Sequence, residues 1–393
     1  MSGAARGYDA VIIGAGMAGA SLGAELAAHG SVLLVEMEDQ PGYHATGRSV
    51  AFWSESYGGP AIRPLTQASG PFLERPPAEF AAHGFLSARG GIHIGHAGDA
   101  ALRQALVAEH GDDGLFRLLE EQDMRGRLPR LRAGWTIGLE EASLRDIDVA
   151  ALHGAYLSCL RRRGGVILPG NRFAGARRLG ASEGWEVRLA TGTVRAGVLI
   201  NAAGAWADDV ARAAGVAPLG IVPLRRTVAQ VRVDPPAPDD MPLILDLAQR
   251  FYFKPVGGGR IWLTPHDEHP SPATDAAPEE VDVAIAIDRL QAVMDWRVEA
   301  VERRWAGLRS FAPDRKPVYG RDPDAPGFFW FAGQGGFGIQ TAPAAARLAL
   351  GLLTGGGADP MTRGLDAAAY APDRLRASAL SSPAKNRQSE PRF

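Results

Sequence analysis

The chain has 393 residues, 42 of them basic and 44 acidic, a formal net charge of −2 and a single cysteine, Cys159. Charge this nearly balanced leaves no large field to hold nucleic acid or an anionic membrane surface, so neither is expected as a partner. One thiol rules out a disulfide within the chain, and the length points to two structural lobes rather than one simple core.

Residues 8–13 (YDAVII) read as a strand, 14–19 (GAGMAG) as a glycine turn, the alanine-rich stretch after it as a helix, and 32–35 (VLLV) as a second strand closed by Glu36. Gly14 permits the tight turn and Gly16 lets the backbone approach a pyrophosphate. Gly19 lets the helix pack against the sheet, with its first amides, around Met17 and Ala18, facing the phosphates. The Glu36 carboxylate, with Met37 beside it, accepts hydrogen bonds from ribose hydroxyls and repels a 2′-phosphate. An adenine dinucleotide is expected, FAD or NAD rather than NADP. The apolar start is interrupted by the glycine turn and runs on into the second strand, so it is read as folded protein and not as a secretory signal, in a cytoplasmic chain. No apolar run reaches the roughly 18 residues that a membrane span needs.

A turn-rich segment over 40–49 leads into the aromatic cluster Phe52, Trp53 and Tyr57. Helices are predicted over 64–72 and 100–110 and an alternating strand over 90–95. Cys159 lies in an apolar helical run over 150–160 and reads as a buried, inert thiol. The arginines at 161–163 end that helix, where they complement its C-terminal carbonyls. Next come a strand over 165–169, a hairpin-like pair over 185–189 and 193–196, and a buried strand over 198–201 ending in small residues. Strands over 228–233, 251–255 and 260–264, broken by proline-rich loops, predict an antiparallel sheet in a second lobe, the natural wall for a substrate. A strand over 327–331 then meets a second glycine loop and a helix over 342–353, and residues 371–393 read as a frayed tail. The pairs His93/His96 and His266/His269 lack a third ligand nearby, so no metal is expected.

Glycine loops at both ends of the chain exceed what an NAD site needs, whereas FAD is long enough to use both. The second helix would then set amides and a partial positive charge near the flavin pyrimidine edge. The motifs GAGMAG (14–19), GYHATGRS (42–49), NAAGAW (201–206), WAGLRSF (305–311) and GGFGIQT (335–341) together resemble the FAD-dependent D-amino-acid oxidase superfamily, in order and at matching spacing to about Leu365. Within it, the chain looks most like bacterial D-arginine dehydrogenase. The resemblance implies an α/β fold. A Rossmann-like FAD-binding domain (1–80, 145–218 and 310–370) is interleaved with an α+β substrate domain (81–144 and 219–309) built on a mixed or antiparallel sheet.

The same resemblance implies oxidation of a D-amino acid by hydride transfer from its α-carbon to flavin N5. The imino acid formed hydrolyses to a keto acid and ammonia. Arg226 and Arg309 match the residues that bind the substrate carboxylate, each able to form a charge-assisted fork; a structural salt bridge is the alternative for either. Arg225 would face away. Tyr252 matches a tyrosine that hydrogen-bonds the carboxylate, Tyr57 one on a lid, and Gln340 a position beside flavin and substrate. Plain packing is the alternative for the two tyrosines. Thr46, Gly47, Arg48, Ser49 and Val50 are carried over as cofactor contacts, as are Ala203, Gly204, Gly335, Gly336, Gly338, Ile339 and Thr341. No general base is assigned, because an α-amine whose pKa is lowered in the site loses its proton unaided.

Two positions depart from D-arginine dehydrogenase. Gly91 stands where that enzyme has the carboxylate for the distal guanidinium, and Phe52 stands where it has a histidine. Phe52, Trp53 and the space left by Gly91 therefore predict a taste for apolar or bulky D-amino acids, with Glu55 as a candidate replacement carboxylate. No cysteine follows Cys159, so FAD is expected to be dissociable, reoxidised by oxygen or a quinone-like carrier. The alternatives are a secondary-amine oxidase of the sarcosine or glycine oxidase type and a non-catalytic flavin-binding redox sensor.

Overall fold

A computed structural model describes residues 6–111, 113–180, 184–356 and 359–376. Strand β1 (Gly7–Ile13) ends in four buried residues, Ala10, Val11, Ile12 and Ile13, types suited to a strand covered on both faces. It runs parallel to β2 (Val32–Val35) on one side and to Gly192–Asn201 on the other. Val166–Leu168 extends the parallel set beyond β2, and Phe328–Ala332 extends it beyond Gly192–Asn201. Between β1 and β2, helix α1 (Met17–Leu26) packs against the helices Val149–Arg162 and Ala342–Thr354. Gly23 permits the first of these approaches, since a Cβ there would stand 2.6 Å from Leu160 Cδ1, and Gly19 lets α1 close on its own turn, where a Cβ would stand 1.8 Å from the Gly14 carbonyl oxygen.

The separate hairpin strand and buried strand predicted over 193–201 are one ten-residue strand, Gly192–Asn201. Its first half pairs antiparallel with Trp185–Leu189, and its last residues pair with Phe328–Ala332. Gly197 marks close packing instead of a break, since a Cβ there would lie 2.9 Å from the Asp9 carbonyl oxygen. The arginines at 161–163 end the helix Val149–Arg162 as expected, but two of them reach other segments. Arg163 donates to the Ala24 carbonyl of α1 and Arg162 to the Glu79 carbonyl, so they tie neighbouring segments together.

Among the described residues, ten strands form a second, mostly antiparallel sheet. Its spine is the pairing of Val222–Asp234 with Arg297–Phe311, which sets Arg226 opposite Gly307 and Leu224 opposite Arg309. Arg226 thus lies well inside a strand that begins six residues before the predicted one. Helix Glu280–Val293, unmarked in the sequence reading, covers the other face, where Arg225 meets Glu279 and Asp282. A small sheet of Phe52–Trp53, Leu86–Ala88 and Arg145–Ile147 stands beside these two.

Part of the expected frayed tail is tied down. Arg374 pairs with Asp314 and donates to the carbonyls of Lys316 and Pro317. Arg376 pairs with Asp322 and Asp324. The remainder of that tail lies outside the described residues. No helix among the described residues is long and apolar enough to cross a membrane. Phe329 is fully buried in the nucleotide-side core, so Phe329→Ala is expected to cost about 3–5 kcal/mol, read as a lower urea midpoint.

Candidate active site

A single cavity of about 420 Å³ runs from the β1–α1 turn to the face of the second sheet. At the first end Gly14 takes φ +102°, and a Cβ on it would stand 2.5 Å from the Ala202 carbonyl oxygen, so only glycine fits. The α1 N-terminus opens here behind Gly16, and the Met17 amide donates to Thr46 Oγ1 at 2.9 Å. Glu36 accepts from the amides of Ala15 (2.9 Å) and Glu38 (3.1 Å), which leaves half of its roughly four acceptor positions for ribose hydroxyls. Ala18, Met37, Arg48, Ser49, Val50, Ala203 and Gly204 line the same stretch, and Gly335, Gly336, Gly338 and Ile339 line the far one. Arg48 spans the carbonyls of Ala276 and Ala306, both at 3.0 Å, and so holds the 42–50 segment against the second sheet. A cradle without Cβ atoms, a helix N-terminus, an acid with spare acceptor capacity and a second glycine loop fit a ligand of the length and charge of FAD.

At the other end the two arginines lie diagonally across paired strands, within reach of a common ligand. Arg226 is 5% exposed; its Nε donates to the Asp267 carbonyl at 2.9 Å, while Nη1 and Nη2 have no hydrogen-bond partner and Glu268 Oε1 stands 3.6 Å from Nη2. Burial, and then repulsion from Arg309, lowers its pKa. Arg309 Nη1 donates to Tyr57 Oη at 3.3 Å, and its Nη2 donates to Glu268 Oε1 at 2.6 Å. Burial works against the Arg309 charge, but Tyr57, Glu268 and Tyr252 carry its pKa above the usual value. Burial raises the Tyr252 phenol, opposed by Arg226, whose guanidinium lies 6.0 Å from the ring. Beside it His266 is pushed down to about 3 by burial and by the two arginines, so this imidazole is neutral at working pH.

The segment carrying Tyr57 is anchored from two sides. The Gln340 amide accepts from the Ser54 amide (3.2 Å) and donates to the carbonyls of Ser54 and Tyr57 and to Thr66 Oγ1. Gln340 borders the cavity, yet its amide is spent on this segment and acts as a strut. Glu141, wholly buried, accepts from the hydroxyls of Ser54 (2.9 Å) and Ser56 (2.6 Å) and from the amide of Glu55 (2.8 Å), with His93 Nε2 at 3.5 Å. Burial opposes its charge, but His93 and the two serines hold the carboxyl below its ordinary 4.5.

A profile of the DAO family, described as FAD dependent oxidoreductase, matches residues 9–352. The chain belongs to the DAO family. Glycine oxidase of Pseudomonas putida is 30% identical to it over 192 residues, 48% of each chain, so the match spans about half the length of that relative. Two solved structures share the fold over nearly their whole length. Glycine oxidase of Geobacillus kaustophilus has a TM-score of 0.78 at 20% identity, covering 93% of this chain and 98% of its own. L-Proline dehydrogenase of P. horikoshii has a TM-score of 0.82 at 19% identity, covering 95% and 99%. As a DAO-family protein the chain takes FAD as its cofactor.

Several residues expected at this DAO-family site stand elsewhere. Gly91 borders no part of the cavity and leaves no space: a Cβ there would stand 2.7 Å from Leu144 Cδ1 and 3.5 Å from Leu245 Cδ1, which occupy that room. Glu55 is held by Arg63 and Gln67, away from the pocket. Gly19 and Gly47 shape the backbone behind the lining, the latter through its amide to the Gly42 carbonyl at 2.8 Å. The buried Thr341 hydroxyl donates to the Phe337 carbonyl at 2.9 Å. The sequence reading missed Glu141 and Glu268, because single acids carry no periodic or spacing signal. Among the described residues Asp267, His269 and Asp282 come within 4.8 Å of one another, but the Arg225 guanidinium already lies on Asp282 at 2.9 Å and within 4.0 Å of Asp267.

Gly14→Ala must strain a positive-φ turn, and is expected to yield protein lacking the visible flavin absorbance of the wild type. Glu141→Gln is expected to lower the urea midpoint at pH 7. Because the folded carboxyl titrates below 4.5, its stabilisation is complete above that value and is lost as pH falls through the lowered one, so midpoints of wild type and variant should converge in acid.

Proposed function

We propose that this protein oxidises the α-carbon of a D-amino acid with an apolar or bulky side chain, yielding an imino acid that hydrolyses to a keto acid and ammonia. The observation that carries this reading is the Arg226 fork, buried at the wall of the FAD cavity with neither terminal nitrogen hydrogen-bonded and only the Glu268 carboxylate near one of them, at 3.6 Å. Leaving buried guanidinium N–H groups without an acceptor is costly, and a substrate carboxylate relieves it with two charge-assisted hydrogen bonds. Arg309 adds a second donor group and Tyr57 and Tyr252 close the sides, fixing which face of the α-carbon meets the cofactor. Bound FAD supplies a two-electron acceptor for the α-carbon–hydrogen bond.

The side-chain end is apolar: the Phe52 ring lies 5.1 Å from Tyr57 and 5.6 Å from Tyr252, with Leu144 and Leu245 in the same cluster. The acids that line the cavity, Glu36 and Asp209, stand just after β2 and on the helix Ala207–Ala213, on the nucleotide side, so the D-arginine preference suggested by the sequence resemblance is not carried over. Leu144 and Leu245 filling the place of Gly91 also favour a second reading, a secondary-amine or glycine oxidase with a small substrate, in keeping with the glycine oxidase relative. We further propose a dissociable FAD, since no cysteine lines the cavity, a cytoplasmic setting, and oxygen or a quinone-like carrier as electron acceptor.

The deciding experiment is anaerobic bleaching of the flavin absorbance by bulky D-amino acids, their L-enantiomers, sarcosine and glycine. Bleaching by the D-isomers alone supports the first reading, bleaching by sarcosine or glycine moves the assignment to the second, and silence across the panel overturns both. Arg226→Ala is expected to lower kcat/KM for a carboxylate substrate about 10- to 150-fold, the equivalent of one charged hydrogen-bonding contact of about 1.5–3 kcal/mol.

A further inference from the structure

The residue that the sequence did not mark, Glu268, stands on the anchor itself. Its Oε1 lies 2.6 Å from Arg309 Nη2, 2.9 Å from Arg315 Nη2 and 3.6 Å from Arg226 Nη2, so three guanidinium groups converge on one oxygen. Its second oxygen keeps to Arg315 alone, at 3.0 Å. The Glu268 side chain is 33% exposed and that of Arg315 is 52% exposed, whereas Arg309 is 13% exposed and Arg226 5%. The carboxylate therefore bridges the inner pair of cations, buried Arg226 and half-buried Arg309, and a solvent-side one. Arg315 rests over the Phe311 ring at 4.0 Å, which holds this outer partner in place.

We infer that Glu268 is an internal occupant of the substrate-carboxylate anchor, which an incoming carboxylate displaces from Arg309 onto Arg315, so that this residue sets the affinity and selectivity of the site for carboxylates. The inference rests on the reading above that Arg226 and Arg309 hold the substrate carboxylate. Two carboxylates cannot share the Arg309 Nη2 donor at hydrogen-bond distance without facing each other's charge. A ligand carboxylate gains hydrogen bonds from the Arg226 fork and from Arg309 Nε, none of which has a hydrogen-bond partner, and loses the exchange against Glu268. A neutral ligand of the same shape has no such exchange to make. The charge of Glu268 is secured in the resting site: burial opposes it, but Arg309 and Arg315 hold the carboxyl below its usual range.

The test compares FAD-loaded wild type, Glu268→Gln and Glu268→Ala, with an unaltered flavin spectrum as the sign of an intact fold. Acetate, propionate and benzoate are titrated, with benzamide as the uncharged control, by flavin absorbance changes and by calorimetry. Both variants should bind the carboxylates about tenfold or more tightly than wild type, with benzamide unchanged. Carboxylate affinity that is unchanged or weakened in both variants would overturn the inference and make Glu268 a fixed support of Arg309, while leaving the anchor intact. Failure of wild type and both variants to bind any of the three acids would overturn the anchor itself, and the inference with it.

Discussion

The pairing of Val222–Asp234 with Arg297–Phe311 brings Arg226 and Arg309 to one face of a sheet, the first buried, the second half-buried, and both cationic. Two like charges in that position repel, and each has lost its water. Much of the surrounding structure offsets this single placement: the Asp267 carbonyl on Arg226 Nε, Tyr57 and Glu268 on Arg309, and the depressed imidazole of His266 beside them. What remains without a hydrogen bond is the Arg226 fork, with the Glu268 carboxylate 3.6 Å from one of its nitrogens. On the reading proposed above, this deficit is what makes the sheet a binding surface for an anionic ligand.

The two ends of the cavity are mechanically joined through the segment after β2. Thr46 caps the α1 amide at Met17, Arg48 reaches the carbonyls of Ala276 and Ala306, and Trp305 Nε1 donates back to the Arg48 carbonyl at 2.9 Å. A few residues further on, Ala51 adopts a positive φ, and the buried Lys254 reaches its carbonyl while pairing with Asp146 at 2.7 Å. Gln340 and Glu141 then secure Ser54 to Tyr57. The strand of chain that shapes the nucleotide end also delivers Phe52 and Tyr57 to the substrate end, so geometry at one end constrains the other.

Local motifs were legible because their physics is local. The glycine fingerprint needs only a strand, a turn that excludes Cβ and a helix start, all within 36 residues, and the structure brings Gly14, Gly16 and Glu36 to one cavity wall. Strands such as Trp185–Leu189 and Arg260–Thr264 followed from alternation and bounding loops. Where glycine was ambiguous, the reading failed: Gly91 looked like a void, yet it lies under Leu144, and the strands read separately over 193–196 and 198–201 run on through Gly197 as one. An absent side chain reports room only if nothing else fills it, and the filler comes from elsewhere in the chain.

The sequence by itself determined the class of protein: a dinucleotide cradle at one end, a second glycine loop at the other, DAO-family motifs between them, and two arginines of the right type for a carboxylate. Tertiary structure alone decided what each polar group is spent on. Gln340 and Ser54 are 286 positions apart, Glu141 and Ser54 are 87 apart, and Glu268 reaches Arg309 across 41, so their partnerships have no signature in spacing or periodicity. A hydrogen-bond donor or an acid advertises its chemistry in the sequence, but burial and competition among partners decide whether that chemistry is free for a ligand, and both exist only once the sheets have formed.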